Sequence, residues 1–257
     1  MLKIHVHGPA GTIILNRPEK RNALSRALLH ELLEAFGDLH MEKRVRAVIL
    51  TGAETAFCAG MDLAEMLATS QLPDPHPTWH ADAVLYREVL QTMLQFPKPI
   101  IAAINGPAMA GGMGLVLASD IVVAADNASL GLPEPKRGLV AGLVAPLLAF
   151  RAGGSQAAFL LLTGRTIDAV EAHRIGIVHE IVAPHQIWAR AAEIAAECAQ
   201  SAAEALQLTK RMLNETIGEQ LGTLLAAGAA VSATARTTQA AAEGLSAFLE
   251  KREPKWP

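Results

Sequence analysis

Three near-continuous apolar runs, VRAVILT at 45–51, PIIAAIN at 99–105 and DIVVAA at 120–125, constrain this chain more than any other feature. A strand with one face in water alternates apolar and polar residues. A run apolar throughout must be covered on both faces, which is the mark of parallel strands packed between helices. The segments between these runs carry apolar residues at helical spacing, for example Leu28, Leu29, Leu32, Leu33 and Phe36 behind a capping Ser25. The pattern predicts an α/β core.

Other elements follow from local chemistry. LKIHVH and TIILN flank the turn-forming GPAG and predict an opening hairpin. Asp62 suits the N-terminus of a short helix. TSQLPDPHPT at 69–78 contains three prolines and reads as a loop. A long helix should follow it, with Val84, Leu85, Val89, Leu90, Met93 and Leu94 on its apolar side. From Pro184 onward only helical segments are visible. The chain therefore divides into a core at 1–183 and a helical region at 184–257, appended to that core rather than forming a second catalytic domain.

Composition narrows the function classes. The formal net charge is −3 and no long basic block occurs, so a nucleic-acid surface is not expected. The most apolar region, 99–125, is broken by Asn105, Gly106, Pro107, Ser119 and Asp120 and reads as buried core, not a membrane span. The N-terminus lacks the apolar stretch of a signal peptide, and Cys58 and Cys198 form no disulfide framework or zinc pattern. These features read as a soluble cytoplasmic protein with reduced thiols. His76 and His80 stand four apart, but Pro77 between them argues against one helix holding both, so no metal is assigned. Cys58 lacks the His partner of a nucleophile and reads as packing; Ser155, in GGSQA, reads as a helix cap.

The stretch MAGGMGLVL at 109–117 places three glycines within four residues. It fails as a phosphate loop, since Leu115 stands where Lys is needed, and as a dinucleotide fingerprint, since Leu117 stands at the third glycine position. What remains is a helix N-terminus whose free N–H groups face an oxygen. FCAGMDL at 57–63 is a second strand-to-helix turn of the same kind. Two such turns, each offering one N–H to a shared oxygen, would make an oxyanion hole, in which one donor is worth roughly 2.7–4 kcal/mol.

Taken in order, NRPEKRNALS, FCAGMDLAEM, KPIIAAINGPAMAGGMGLVLASDIVVA, LGLPEPKRGL, LTGRTIDAVEAHRIGIVHEIV and AFLEKREPKW resemble the crotonase, or enoyl-CoA hydratase/isomerase, superfamily across essentially the whole chain. The resemblance implies a spiral of ββα units with a C-terminal helical region used in trimerisation, commonly as a dimer of trimers. It implies an acyl-CoA thioester substrate, with coenzyme A entering only as part of that substrate and no separate cofactor. Carried over by position, the oxyanion hole is the N–H of Met61 and of Gly111, and Glu134 in GLPEP carries the proton. Lys20, Arg21, Ala23 and Ala59 would line the CoA site, joined by Phe248 and Lys251 near the C-terminus. The apolar stretch 138–146 and the loop at 69–78 would border the acyl chain.

One position departs from the two-carboxylate hydratases: the first acid, three residues after the oxyanion glycine, is Gly114 here. Asp62, Glu65, His76 and His80 are candidates to replace it, but each reads better as structural. The expectation is enoyl-CoA hydration through a stabilised enolate. The alternatives are Δ3,Δ2-enoyl-CoA isomerisation by a one-base shuttle and a non-catalytic acyl-CoA binder.

Overall fold

A computed structural model of the chain describes residues 1–256. The opening hairpin is β1 (Leu2–His7) with β2 (Ala10–Leu15), followed by α1 (Arg26–Met41), where the Ser25 hydroxyl accepts from the Leu28 N–H at 3.2 Å. Next come β3 (Ala47–Gly52), α2 (Leu63–Ser70), α3 (His76–Gln95), β4 (Ile100–Ile104), β5 (Ala108–Met109), α4 (Gly111–Ala118), β6 (Ile121–Ala125) and β7 (Ser129–Gly131). After a short 3-10 turn over Glu134–Arg137 follow α5 (Ala145–Ala152), α6 (Gly154–Thr163), β8 (Thr166–Asp168), α7 (Ala169–Arg174) and β9 (Glu180–Val182). The remainder is α8 (Ile187–Ala199), α9 (Ala203–Arg211), α10 (Leu221–Ala235) and α11 (Gln239–Leu249).

The strands form two sheets. One has the order β1-β2-β3-β4-β6-β9, parallel except for the hairpin; the other is β5-β7-β8. Successive turns of chain give a long strand to the first sheet and a short one to the second: β4 then β5, β6 then β7. The turn after β3 joins in the same way, through a parallel bridge from Cys58 to Ala108. This is a ββα spiral. The apolar runs are the strands β3, β4 and β6, and the sheet is covered on both faces as their composition requires. Val48, Leu50, Ala102 and Ile104 face the main core, while Ile49, Ile101 and Val123 face α8 through Ala191, Ile194 and Ala195. Each fully buried Val, Leu or Ile among these contributes roughly 1.5–3 kcal/mol.

Two local expectations are corrected. α3 begins at His76, so the loop shrinks to 71–75, and Pro77 lies in the helix's first turn. A proline there breaks no intrahelical hydrogen bond, because first-turn N–H groups have no helical partner. His76 and His80 therefore share the helix, their rings stacked at 6.4 Å and 12°. Among the described residues, no group of three His, Cys, Asp or Glu could hold a metal ion. Ser155 is not a cap: α6 starts at Gly154, behind Gly153 at φ +82°, with no side-chain cap bond. No helix among the described residues is long and apolar enough to cross a membrane.

Candidate active site

The two glycine turns lie side by side because the second sheet holds them there. The Phe57 and Cys58 N–H groups donate to the Pro107 carbonyl at 3.1 Å each, and the Met109 N–H donates to the Cys58 carbonyl at 2.9 Å. Gly60, at φ +93°, lets the first turn double back against the second. A methyl group there would lie 2.7 Å from Ala110 Cβ and 3.2 Å from Gly111 N. Across the gap Ala110 sits at φ 51°, ψ −122°, a conformation costly for a residue with a side chain, and its N–H is held by the Gly131 carbonyl at 2.8 Å. Strain of this kind persists only where the surroundings enforce it. Its consequence is that Gly111 opens α4 with its N–H free.

Among the described residues neither the Met61 nor the Gly111 N–H has a backbone acceptor. Both residues line one cavity, together with Ala59, Tyr86 and Glu134. The helix N-terminus adds a favourable field for negative charge at Gly111. Asp62, beside Met61, caps α2 by accepting from the Ala64 N–H at 3.1 Å and pairs with Arg17 at 2.9 Å. Burial works to raise its pKa, but the Arg17 guanidinium and the Ala64 N–H hold it below the ordinary value. Glu65 accepts from the Arg26 N–H at the start of α1. Both acids are thus engaged at helix starts, Asp62 at α2 and Glu65 at α1.

Glu134 is 8% exposed and its Oε2 is buried with no hydrogen-bond partner. An unpaired carboxylate oxygen in such a place is costly when charged. Burial accordingly pushes its pKa up to about 7, against smaller lowerings from a hydrogen bond with its own backbone N–H and from Arg137. Arg137, which lines the same cavity, rests over the Phe248 ring at 4.1 Å. Cys58 is wholly buried, and burial drives its thiol up to about 12, which removes it as a nucleophile.

The space of the missing acid is filled from another element. A Cβ on Gly114 would fall 2.1 Å from the Tyr86 hydroxyl and 3.1 Å from Val144 Cγ2. That hydroxyl donates to the Gly111 carbonyl at 2.5 Å, and burial, with the nearby Cys58 and Glu134, holds its pKa well above the ordinary value. The apolar spacing in the sequence puts Val84 and Leu85, not Tyr86, on the buried face of α3, and the structure rotates that face. The buried residues are Trp79, Asp82, Ala83, Tyr86, Val89, Leu90, Met93 and Leu94, with Val84 and Leu85 at the margin. A usable signal was present: Tyr86 is the only tyrosine in the chain and falls on a helical period with Ala83, Val89, Leu90 and Met93. A buried tyrosine needs a partner for its hydroxyl.

Of the residues expected at a CoA site, only Ala59 lines this cavity. Arg21 and Ala23 are tied to the same turn, since the Ala59 N–H donates to the Arg21 carbonyl and the Leu24 N–H to the Gly60 carbonyl. Lys20 and Arg21 are exposed, as are Phe248 and Lys251 around the end of α11. Phe248 reaches the cavity only through Arg137. The apolar border is formed by Leu139, Val140, Leu143 and Val144 from the stretch 138–146 and by Leu63 and Met66 from α2.

Comparison with known proteins is consistent along the whole chain. A family profile described as enoyl-CoA hydratase/isomerase matches residues 9–257. A relative from Thermus thermophilus is 40% identical over 249 residues, 97% of this chain and 98% of the relative. The short-chain-enoyl-CoA hydratase of Clostridium acetobutylicum is 32% identical, with 96% of this chain and 93% of that protein covered. Among solved structures, an enoyl-CoA hydratase/isomerase from Xanthobacter autotrophicus superposes with a TM-score of 0.89 at 29% identity, covering 100% of this chain and 98% of that one.

Proposed function

The chain belongs to the enoyl-CoA hydratase/isomerase family, and on that premise we propose that it hydrates a 2-enoyl-CoA thioester with Glu134 as its one proton-carrying carboxylate. The thioester oxygen is bound by the Met61 and Gly111 N–H groups, which stabilise the enolate that forms when water attacks C3. As the water oxygen bonds to C3, one of its protons passes to the Glu134 carboxylate. The enolate then collapses and takes that proton at C2. One water is consumed and the carboxylate is regenerated. A pKa of about 7 suits a group that must both take and give a proton near neutrality.

The observation that carries this reading is the buried Glu134 carboxyl, its Oε2 without a partner, in the same cavity as two free N–H groups. A pure acyl-CoA binder has no use for such a group. Tyr86 is assigned a positioning role: its hydroxyl fixes the Gly111 carbonyl and so the first turn of α4, and its bulk occupies the space of a second acid. That occupancy favours one alternative. Among the described residues Glu134 is the only acid in the cavity wall, which suits removal of a proton from C2 of a 3-enoyl-CoA and its return at C4. Lys20, Arg21, Ala23 and Ala59 are proposed to hold the CoA, with Phe248 and Lys251 at its edge. Residues 184–257 are proposed as the region for trimer formation, supported by exposed Leu208, Met212, Leu213 and Ile217.

The test is a panel of 2-enoyl- and 3-enoyl-CoA esters analysed by mass and proton NMR. Gain of one water on a 2-enoyl ester is the expected result. Unchanged mass with a moved double bond assigns the isomerase instead. No turnover of any ester contradicts both.

A further inference from the structure

The cavity holding Glu134 measures about 70 Å³ and adjoins a second of about 230 Å³, and the two share Met66, Leu139 and Arg236 in their walls. An acyl chain longer than a few carbons must pass this border. Beyond it Leu67, Trp79 and Leu245 are joined by the neutral polar Ser70, Gln71 and Ser246, and Arg236 is the one charged residue among the described lining. Arg236, which follows α10 as its C-cap, is therefore out of place for a plain hydrocarbon tail.

Arg236 also lacks an acidic partner among the described residues. Among the described residues it forms no ion pair, and its one hydrogen bond is a long 3.5 Å contact to the Trp79 carbonyl. The nearby acid, Asp82, has both carboxylate oxygens taken by Arg26, at 2.5 and 2.8 Å. The Trp79 indole N–H, in the wall of the second cavity, is buried with no acceptor. A guanidinium offers five donors, and Arg236, half-buried at this border, has a protein acceptor for one of them. Arg137, the other cation of the inner cavity, is committed to the Phe248 ring and does not line the second one.

We propose that Arg236 is a specificity residue for an enoyl-CoA whose acyl tail ends in a carboxylate. The reading rests on the function proposed above, with the thioester at Met61 and Gly111 and the tail directed toward α10. A terminal carboxylate would pair with the guanidinium in two hydrogen bonds, the geometry that Arg matches and Lys does not.

The experiment compares 2-hexenoyl-CoA with 2-hexenedioyl-CoA, equal in length and different only in the terminal carboxylate, and repeats the comparison with the eight-carbon pair. Wild type is expected to favour the carboxylated ester by roughly tenfold or more in kcat/KM, the size of a charge-assisted hydrogen bond. Arg236→Leu should abolish the preference while still turning over the neutral ester. Arg236→Lys should keep part of it, which separates charge recognition from a folding defect. Calorimetry with hexanoyl-CoA and adipoyl-CoA gives the same comparison without turnover. Equal handling of the two esters by wild type, or a ratio unchanged in Arg236→Leu, overturns the proposal. A binding preference for adipoyl-CoA without turnover of any ester would leave Arg236 standing and remove the proposed reaction instead.

Discussion

One side of the cavity is backbone: the free N–H groups of Met61 and Gly111, held by abutting turns at Gly60 and Ala110 that the second sheet fixes in place. The rest of the wall is side chain: Glu134 on a short 3-10 turn, Tyr86 from α3, which buttresses the Gly111 turn, and Arg236 just after α10. The first side tolerates changes of side chain at its donors, because an N–H is the same in any residue other than proline, yet it has no room at Gly60. The second side can be altered by a single substitution without disturbing the sheet. Members of one fold can thus share an enolate-stabilising wall and differ in what they do with the proton.

This contrast can be broken in graded steps. The largest effect is expected for Glu134→Gln, with turnover falling about 10³-fold while affinity for a saturated acyl-CoA is retained, as measured by steady-state kinetics and calorimetry. The same substitution should raise stability above neutral pH. The Glu134 pKa rises from 4.5 to about 7 on folding, so between those values the folded state binds the extra proton and stability falls as pH increases. Thermal melts at pH 8 should therefore show Glu134→Gln more stable than wild type.

Next is Gly60→Ala. A Cβ there meets Ala110 Cβ at 2.7 Å and the Met109 carbonyl oxygen at 3.0 Å, at a φ that disfavours alanine. Displacing one oxyanion donor should lower kcat about 10²-fold, whereas Met61→Leu, which keeps the N–H, should stay within about threefold. The smallest informative change is Tyr86→Phe, which removes the hydroxyl from the Gly111 carbonyl. We expect a loss of about tenfold, in kcat rather than in KM. Gly114→Ala should be tolerated better with Tyr86→Phe than without it, since its methyl would otherwise lie 2.1 Å from the hydroxyl.

The same contrast governs what could be read in advance. The backbone side is local in sequence: β3, β4 and β6 declare themselves by unbroken apolar runs, and each glycine turn follows its strand directly. Glu134 was visible through its Pro-flanked motif. The short strands β5, β7 and β8, two or three residues each, carry too few side chains to show a period. Tyr86 lies 25 residues before Gly111 and Arg236 far beyond it, just after α10, and no spacing rule connects such positions. The start of α3 was hidden for a different reason, since Pro77 is read as a breaker unless the helix is known to begin one residue earlier. Where function depends on side chains gathered from distant helices, only the folded chain displays the set.

The central claim is that Glu134 alone moves the proton at C2. It is tested most directly by the exchange of the α-protons of butyryl-CoA in D2O, followed by NMR from pH 5 to 9 in wild type and in Glu134→Gln. Proton removal needs the carboxylate, so exchange in wild type should rise with pH through an inflection near 7 and be lost in Glu134→Gln, which still binds the thioester. Exchange that persists in Glu134→Gln, or a wild-type rate already flat from pH 5, would contradict the account.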